Sequence, residues 1–376
     1  MVNVRSYRTT VMFLGILVLL TVTVFRNNCK QLHKNLYSRI NGPIPTKTLA
    51  SKDDGYRHLI HTGHDPHVQI LFNNMPSWMS INPLTLNSSS CSLHLKSPCI
   101  IKTGKRNFEE FRGVIFYGDN LPSTIPVKQT NQSWIFFSIE SPYLYQIQSK
   151  WKFKFDATMT FRKDSSFPVV YGTITRRTSP RTRDYTKIFR MKTKMVAWAV
   201  SNCHTPSKRE NYVTSLQKYV TVDIFGKCGH LSCGVRSAGV TDCHFKFAKD
   251  YKFYLTFENS ICKDYTTEKL FNFFFHDLAM IPVINGPPNA HEYIPRGTYI
   301  NALDFSSPVE LARELHRIGS NETLYVQYLR EKDKYGAKHF NWKDALCPLC
   351  KTLQTNPPLN NTIPDIDKWL KRCRSF

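Results

Sequence analysis

The stretch Tyr251–Lys269 concentrates polar side chains that could bind an anion. It opens with an apolar, aromatic run, Phe253–Phe257, which predicts a buried strand, and a helical pattern follows it. The polar residues between these elements are Glu258, Asn259, Ser260, Tyr265, Glu268 and Lys269. A helix N-terminus presents free N–H groups and a partial positive charge, so a phosphate fits there, and Lys269 adds a full charge. The alternative is an ordinary strand-to-helix turn with polar residues on the surface.

A second candidate for chemistry is Glu140, which follows the strand-like run Trp134–Ile139 and opens the sequence Glu140-Ser-Pro142. Open α/β sheets bind their ligands outside the carboxyl ends of the strands. A carboxylate held at such an end by a Ser-Pro turn is well placed for chemistry. The alternative is a glutamate that only caps the turn.

The second half of the chain alternates strand and helix patterns, which predicts a parallel sheet covered on both faces. The strands predicted in this half are Met195–Val200, Val220–Phe225, Phe253–Phe257 and Met280–Ile284. A helix is predicted over Ser207–Tyr219, and another begins at Pro308 with a capping box of Ser307 and Glu310. The first half carries the strand-like runs Val68–Phe72, Gly113–Tyr117 and Trp134–Ile139. Two α/β domains with a cleft between them suit a large, nucleotide-linked substrate.

The basic segment Arg176–Lys194 shows little apolar periodicity, and we interpret it as the connection between the two domains. The net charge of +23 over 376 residues suits anionic partners, but it does not choose among them. A nucleic-acid patch is disfavoured, because other features of the chain indicate a lumenal protein.

Those features begin with an apolar run, Val11–Phe25. No small-x-small cleavage site follows it, so an uncleaved signal anchor is favoured over a secretory signal peptide, although the run is short for a plasma-membrane span. The eleven cysteines suit an oxidising compartment. Candidate N-glycosylation sites follow the run at Asn87, Asn131, Asn321 and Asn360. Together they predict a short cytosolic tail, one span and a lumenal body.

A row of histidines recurs every three residues and could place metal ligands on one helical face. These residues are His58, His61, His64 and His67. Gly63 and Pro66 interrupt any helix there, so solvated loop histidines are favoured over a metal site.

Two further patterns are typical of metal sites, and neither predicts one here. Cys347 and Cys350 have zinc-site spacing, but no second pair matches it, so disulfides are favoured. The Asp-x-Asp sequence Asp365-Ile-Asp367 lies in the tail, far from the other motifs. A metal-dependent diphosphate site built on it is therefore not expected.

The motif Phe257-Glu-Asn-Ser260, followed by Asp264-Tyr-Thr-Thr-Glu-Lys269, closely resembles the donor-binding motif of the α1,3-fucosyltransferases. The resemblance covers roughly residues 113–345, where further pieces fall in family order. These pieces include Glu140-Ser-Pro142, Met159–Ser165, Val196–Asn202, Arg209 with Tyr212, Val222–Gly226, Ile281–Val283, Tyr293 and Asp304-Phe305.

The resemblance implies a GT-B-like α/β fold, with two facing Rossmann-type domains behind an N-terminal transmembrane anchor and a stem. Residues 1–8 are expected to form a cytoplasmic tail, residues 9–26 a signal anchor and residues 27–60 a stem. Three further parts would follow: an acceptor-binding domain at residues 61–190, a GDP-fucose-binding domain at residues 191–345 and a C-terminal segment at residues 346–376.

The resemblance also implies disulfides that tie the C-terminal segment to the first domain. They would join Cys91 and Cys99 to Cys347 and Cys350. The family also bridges a cysteine at the position of Cys243, but Ala197 stands where its usual partner would be. One of Cys203, Cys228 and Cys233 would replace that partner, or Cys243 would pair differently.

Among the site residues, the resemblance matches Glu140 to the family's catalytic base, which takes a proton from an acceptor hydroxyl in an inverting reaction. Arg209 and Lys269 match phosphate-binding cations that stabilise the leaving diphosphate. The remaining candidates for binding GDP-fucose are Asn259, Tyr265 and Glu268, with Ser201 at the tip of a strand. No cofactor is implied as required, and a divalent metal would at most stimulate.

The function implied is a Golgi α1,3-fucosyltransferase that moves L-fucose from GDP-fucose to an N-acetylglucosamine hydroxyl of glycoprotein glycans. It would be a single-pass type II membrane protein with a lumenal catalytic domain and no nucleic-acid partner. Two alternatives stay open: an enzyme directed to the core chitobiose of N-glycans, and a catalytically idle glycan-binding protein. Acceptor preference is expected to lie in residues 60–130.

Overall fold

The structure is a computed structural model that describes residues 67–76, 79, 84–104, 107–233, 242–355, 359 and 363–374. The predicted tail, anchor and stem lie outside these residues, as do His58, His61, His64 and Asn360. Within the described ranges, no helix is both long and apolar enough to cross a bilayer.

Strands and helices alternate along the described chain. The strands are β1 Val68–Asn73, β2 Leu84–Leu86, β3 Cys99–Thr103, β4 Gly113–Tyr117, β5 Ser133–Ser138, β6 Ala157–Thr160, β7 Gly172–Arg176, β8 Lys194–Ala199, β9 Val222–Phe225, β10 Tyr251–Leu255, β11 Ile281–Ile284, β12 Ile300–Asn301 and β13 Tyr335–His339. The α-helices are α1 Ser88–Cys91, α2 Tyr185–Met191, α3 Arg209–Leu216, α4 Asp242–Asp250, α5 Glu268–Phe275, α6 Pro308–Gly319, α7 Glu322–Lys332, α8 Trp342–Leu353 and α9 Ile366–Leu370. The strands predicted from the sequence agree with these bounds to within two residues.

The first lobe is built on a six-stranded sheet with the order β2-β3-β1-β4-β5-β6. All neighbours are parallel except β2 and β3. Strands β4 and β5 are buried along their whole length, as expected for a parallel sheet that is covered on both faces. Glu140 follows the carboxyl end of β5, and this end of the strand faces the second lobe.

The second lobe is built on a five-stranded parallel sheet with the order β12-β11-β10-β8-β9. Alternate residues of its strands enter different cores: Val196 and Phe253 pack beside α3, α6 and α7, whereas Ala197 and Tyr254 pack beside α4 and α5. The prediction of a parallel sheet with helices on both faces is therefore confirmed for this half.

The cap of α6 is only partly as predicted. Ser307 is the N-cap and Pro308 opens the helix, as the sequence indicated. The carboxylate of Glu310, however, accepts from the Ser306 N–H at 3.0 Å instead of from the cap residue. The predicted capping box is thus half formed, because the side chain reaches one residue further back.

The segment Arg176–Lys194 is more structured than we expected from its sequence. It contains α2, whose Phe189 packs against Tyr325 of the second lobe, with the ring centroids 5.6 Å apart. Arg183 also forms an ion pair at 2.7 Å with Asp333, which is buried. The expected border between residues 190 and 191 therefore falls within a helix that belongs to the second lobe. Its short apolar face is masked in the sequence by the surrounding basic residues.

The end of the chain returns to the first lobe and covers both faces of its sheet. Helix α8 packs Leu346 and Leu349 into the core on one face, and α9 packs Ile366 and Leu370 into the core on the other. The expected border between residues 345 and 346 therefore falls inside α8.

Five disulfides join ten cysteines of the described chain. Two of them, Cys91–Cys347 and Cys99–Cys350, are the bonds that the family resemblance implied. Two more, Cys203–Cys228 and Cys233–Cys243, decide between the alternatives left open for Cys243. The fifth, Cys262–Cys373, was not anticipated, because its residues lie 111 positions apart and no spacing signal connects them.

The packing of α8 on the first sheet is tested by Leu346→Ala, with Lys351→Ala on the same helix as control. Leu346 is fully buried and Lys351 is exposed. We expect the first change to lower the free energy of unfolding by about 2–5 kcal/mol and the control to stay within about 0.5 kcal/mol. Urea denaturation with the disulfides intact measures both. Equal effects would show that α8 does not contribute to this core.

Candidate active site

A cavity of about 730 Å³ lies between the two lobes, at the carboxyl ends of β8 and β10. The first lobe contributes Glu140 and Leu144, and the second lobe contributes the rest of the lining. Six residues singled out from the sequence line it together: Glu140, Ser201, Arg209, Asn259, Glu268 and Lys269. The structure therefore brings the candidate base and both candidate cations to one cavity.

Glu140 lies on the first-lobe wall of the cavity, two residues after the end of β5. Its N–H donates to the Ser138 hydroxyl at 3.2 Å, and its carboxylate accepts from the Tyr265 hydroxyl at 3.3 Å. Burial raises the pKa of Glu140, whereas the charge of Lys269 and the hydrogen bond from Tyr265 act in the opposite direction. A carboxylate with a raised pKa that still faces a cation is suited to accept a proton.

Lys269 lies in the first turn of α5, beside the buried carboxylate of Glu258. Glu258 accepts from the Thr267 N–H at 2.8 Å and from the Lys269 ammonium at 3.0 Å. Thr267 is the N-cap of α5. Burial lowers the pKa of Lys269, but the charges of Glu258 and Glu268 offset this, so that its pKa is raised overall. The lysine therefore presents a fixed positive charge at a helix N-terminus.

Arg209 is the first residue of α3 and is almost fully buried. Its two terminal nitrogens donate to the carbonyls of Phe257 and Asn202 at 2.5 and 3.2 Å. Its Nε has no hydrogen-bond partner within the described part of the chain. Burial lowers the pKa of Arg209, and the nearby carboxylate of Glu258 opposes this effect. A buried guanidinium with an unpaired donor is prepared to bind an anion.

Two other candidates differ in how they are placed. The Oδ1 atom of Asn259 is buried without a partner among the described residues, and this residue lines the cavity. Tyr265, which we expected to line the nucleotide-sugar pocket, is not part of the lining. Its ring is buried edge-on against Phe161, with centroids 4.9 Å apart, and only its hydroxyl reaches the site.

Several residues of the site escaped the sequence reasoning. Glu258 was noticed only as one polar residue in a loop, although it organises the start of α5. Leu144, His244 and Asn272 also line the cavity, and none of them carried a sequence signal. His244 could not be found from a motif, because it enters from α4 through the fold of the chain.

No group of three or more potential metal-ligating side chains occurs among the residues that the structure describes. The site instead offers an arginine, a lysine and the N-terminus of α5, opposite a carboxylate across the lobe boundary. This arrangement can bind an anionic leaving group and accept a proton from a nucleophile.

Two family models match the chain. One, for the C-terminal part of glycosyltransferase family 10 (fucosyltransferase), covers residues 189–369, and one for the fucosyltransferase N-terminal region covers residues 65–172. The chain belongs to glycosyltransferase family 10. The two models divide this family member between the two lobes, in the segment that contains α2.

Relatives of this family 10 chain include α-(1,3)-fucosyltransferase fut-1 of Caenorhabditis elegans, at 32% identity over 66% of this chain and 59% of that protein. Glycoprotein 3-α-L-fucosyltransferase A of Drosophila melanogaster is 33% identical over 73% of this chain and 56% of its own length. The human 4-galactosyl-N-acetylglucosaminide 3-α-L-fucosyltransferase FUT6 is 30% identical over 74% of this chain and 77% of its own. The matches with the first two relatives thus span somewhat more than half of those proteins.

A crystal structure of an α1,3-fucosyltransferase with GDP matches the fold of this family 10 chain. Its TM-score is 0.51 at 15% identity, and the match covers 83% of this chain and 96% of that one.

The role of Glu258 in organising the site is tested by Glu258→Ala, with the exposed Glu268→Ala as control. Removing the buried carboxylate takes from Lys269 its buried ion-pair partner and from the Thr267 N–H its acceptor. We expect a loss of about 3 kcal/mol in the free energy of unfolding, against at most about 0.5 kcal/mol for the control. Thermal or chemical denaturation of both variants measures the difference. Indistinguishable stabilities would mean that Glu258 does not hold this turn.

Proposed function

We propose that the protein is an inverting α1,3-fucosyltransferase that moves L-fucose from GDP-fucose to an N-acetylglucosamine hydroxyl of glycoprotein glycans. The observation that carries this proposal is the shared cavity of Glu140, Arg209 and Lys269. Membership of family 10 supports the reaction class. The two-sheet architecture supports a GT-B arrangement, in which the second lobe binds the donor and the first lobe binds the acceptor.

In this mechanism Glu140 takes the proton of the acceptor hydroxyl as its oxygen attacks the anomeric carbon of fucose. The bond between that carbon and the diphosphate oxygen breaks, and its electrons leave with GDP. Arg209 and Lys269 stabilise the charge that develops on the diphosphate, together with the partial positive charge at the N-terminus of α5. Because these donors are fixed before the reaction, little reorganisation accompanies the charge transfer.

For the acceptor glycan, two candidates stay open. The alternative acceptor is the core chitobiose of N-glycans. Relatives named for glycoprotein 3-fucosylation and for 4-galactosyl-N-acetylglucosaminide 3-fucosylation are similarly close, and their names do not choose between the two acceptors. A glycopeptide that carries both a core chitobiose and a terminal N-acetyllactosamine distinguishes them, because mass spectrometry of its fragments locates the added fucose. An idle glycan-binding protein is disfavoured, since it would not need a carboxylate and two cations around one cavity.

We propose that the protein works in the Golgi lumen as a single-pass type II membrane protein. The apolar run Val11–Phe25 supports the anchor, and the five disulfides support an oxidising compartment. Immunogold labelling of the intact cell, with and without deletion of residues 9–26, tests this location.

Glu140→Gln should abolish transfer and preserve GDP binding, because it removes the proton acceptor and keeps the shape of the side chain. We expect kcat to fall by about 10²–10⁴-fold. The control Glu110→Gln changes an exposed glutamate of the same lobe and should leave both quantities unchanged. Transfer kinetics and calorimetric titration with GDP measure the two effects. Transfer by Glu140→Gln at the wild-type rate would remove this residue from the mechanism.

Lys269→Met should weaken GDP binding, because it removes a charged donor from the diphosphate. We expect an increase in Kd of about 10–100-fold. The control is Lys249→Met, an exposed lysine of α4 that does not line the cavity. Calorimetry with GDP measures both variants. An unchanged Kd for Lys269→Met would contradict the assignment of this lysine to the diphosphate.

Transfer should persist after extensive dialysis against EDTA, since the proposed diphosphate ligands are side chains. Re-addition of Mn²⁺ is expected to change the rate only moderately. A complete loss of activity that Mn²⁺ restores would show that a metal carries the diphosphate.

A further inference from the structure

The described end of the chain, residues 363–374, contacts both lobes, and we call it the C-terminal strap. Its first part is fixed to the first lobe. The Ile363 N–H donates to the carbonyl of Phe155 at 2.9 Å, and the side chains of Ile366 and Leu370 are buried in the core below the first sheet.

The middle of the strap holds a buried arginine of the first lobe. The guanidinium of Arg162 lies 4.0 Å from the ring centroid of Trp369 and donates to the Trp369 carbonyl. Arg162 is completely buried and also pairs with Asp164. Because the fully desolvated guanidinium depends on this carbonyl, the position of the strap is tightly defined.

The last part of the strap is fixed to a loop of the second lobe. The Lys263 N–H donates to the carbonyl of Arg372 at 2.9 Å, and the Arg374 N–H donates to the carbonyl of Ile261 at 2.8 Å. The disulfide Cys262–Cys373 lies between these two hydrogen bonds. The strap thus adds a short strand-like pairing and a covalent bond to the loop that precedes α5.

This loop carries Tyr265. The Tyr265 N–H donates to the carbonyl of Cys262 at 3.2 Å, so the disulfide and the tyrosine belong to one turn. Cys262, Tyr265 and Phe161 form a small buried cluster, against which Cys373 packs. The only polar atom of the Tyr265 side chain then donates to Glu140 at 3.3 Å. One disulfide and two hydrogen bonds therefore connect the strap to the candidate base.

We propose that the C-terminal strap positions Tyr265 through the Cys262–Cys373 disulfide, and that Tyr265 in turn orients the carboxylate of Glu140 for proton transfer. Tyr265, Cys262 and Cys373 are positioning residues, and they act through Glu140. The inference rests on the proposed role of Glu140 as the base. It gives Tyr265 a task other than contact with the donor, in keeping with its absence from the cavity lining.

The electrostatics of Glu140 supply a readout that a purely structural role would not change. Burial raises its pKa, Lys269 and Tyr265 lower it, and Glu268 and Glu258 raise it. On the first-lobe side, the buried hydroxyls that respond to its charge belong to Tyr117, Tyr145 and Tyr171. A donor to the ionised carboxylate stabilises that form, so its loss moves the pKa of Glu140 upward. Because the base must be ionised, the acidic limb of the pH profile moves upward as well.

The experiment measures kcat/KM against pH for the full chain, with GDP-fucose and N-acetyllactosamine, in the wild type, Tyr265→Phe and the double variant Cys262→Ser/Cys373→Ser. For Tyr265→Phe we expect the acidic limb to rise by about one pH unit, with GDP affinity changed less than about twofold. The double variant should shift the limb in the same direction by a smaller amount, because the tyrosine is loosened and not removed.

The matched control is Cys91→Ser/Cys347→Ser, which removes a disulfide of the first lobe outside the cavity. It should lower the Tm and leave the pH profile unchanged. If the strap variant likewise lowers only the Tm, or if Tyr265→Phe leaves the acidic limb in place, the positioning role is overturned. A wild-type chain without fucosyl transfer would instead refute the proposed function, so the two failures are distinguishable.

Discussion

The site depends on one buried carboxylate. Glu258 follows β10 and is almost excluded from solvent, so its charge must be compensated locally. It accepts hydrogen bonds from the N–H and hydroxyl of Thr267 and from the ammonium of Lys269, all at the start of α5. These contacts join the sheet to the helix, fix the direction of the helix N-terminus and keep the lysine protonated. The carboxylate that stabilises the turn therefore also holds a charged Lys269 where it can bind an anion.

The placement of the two lobes matters equally, because the base comes from one lobe and the cations from the other. The link between the sheets is held by ion pairs of Arg177 and Arg183 with Asp277 and Asp333. At the other end of the described chain, the C-terminal strap is attached to both lobes. The distance between the base and the cations must be accurate to within a hydrogen-bond length. The linking segment and the C-terminal strap both help to fix this distance.

Local patterns in the sequence were enough to predict most strands, and the family resemblance supplied the candidate base and cations. Strands such as β4 are continuous apolar runs, and the motif around Lys269 has a recognisable order. The burial of the Tyr265 ring was not predicted, because it depends on Phe161 from the other lobe. The fifth disulfide and the role of Glu258 also depend on contacts between distant segments, which no local spacing encodes. Helix α2 was missed, since its short apolar face lies within a basic run.

The central claim is that Arg209 and Lys269, at the starts of α3 and α5, hold the diphosphate of the donor opposite Glu140. A crystal structure of this protein with GDP tests it most directly. We predict phosphate oxygens within about 3.2 Å of the Lys269 ammonium and of the Arg209 guanidinium, in the cavity that Glu140 lines. A diphosphate bound elsewhere, or bound in this cavity without contact to either cation, would contradict the account.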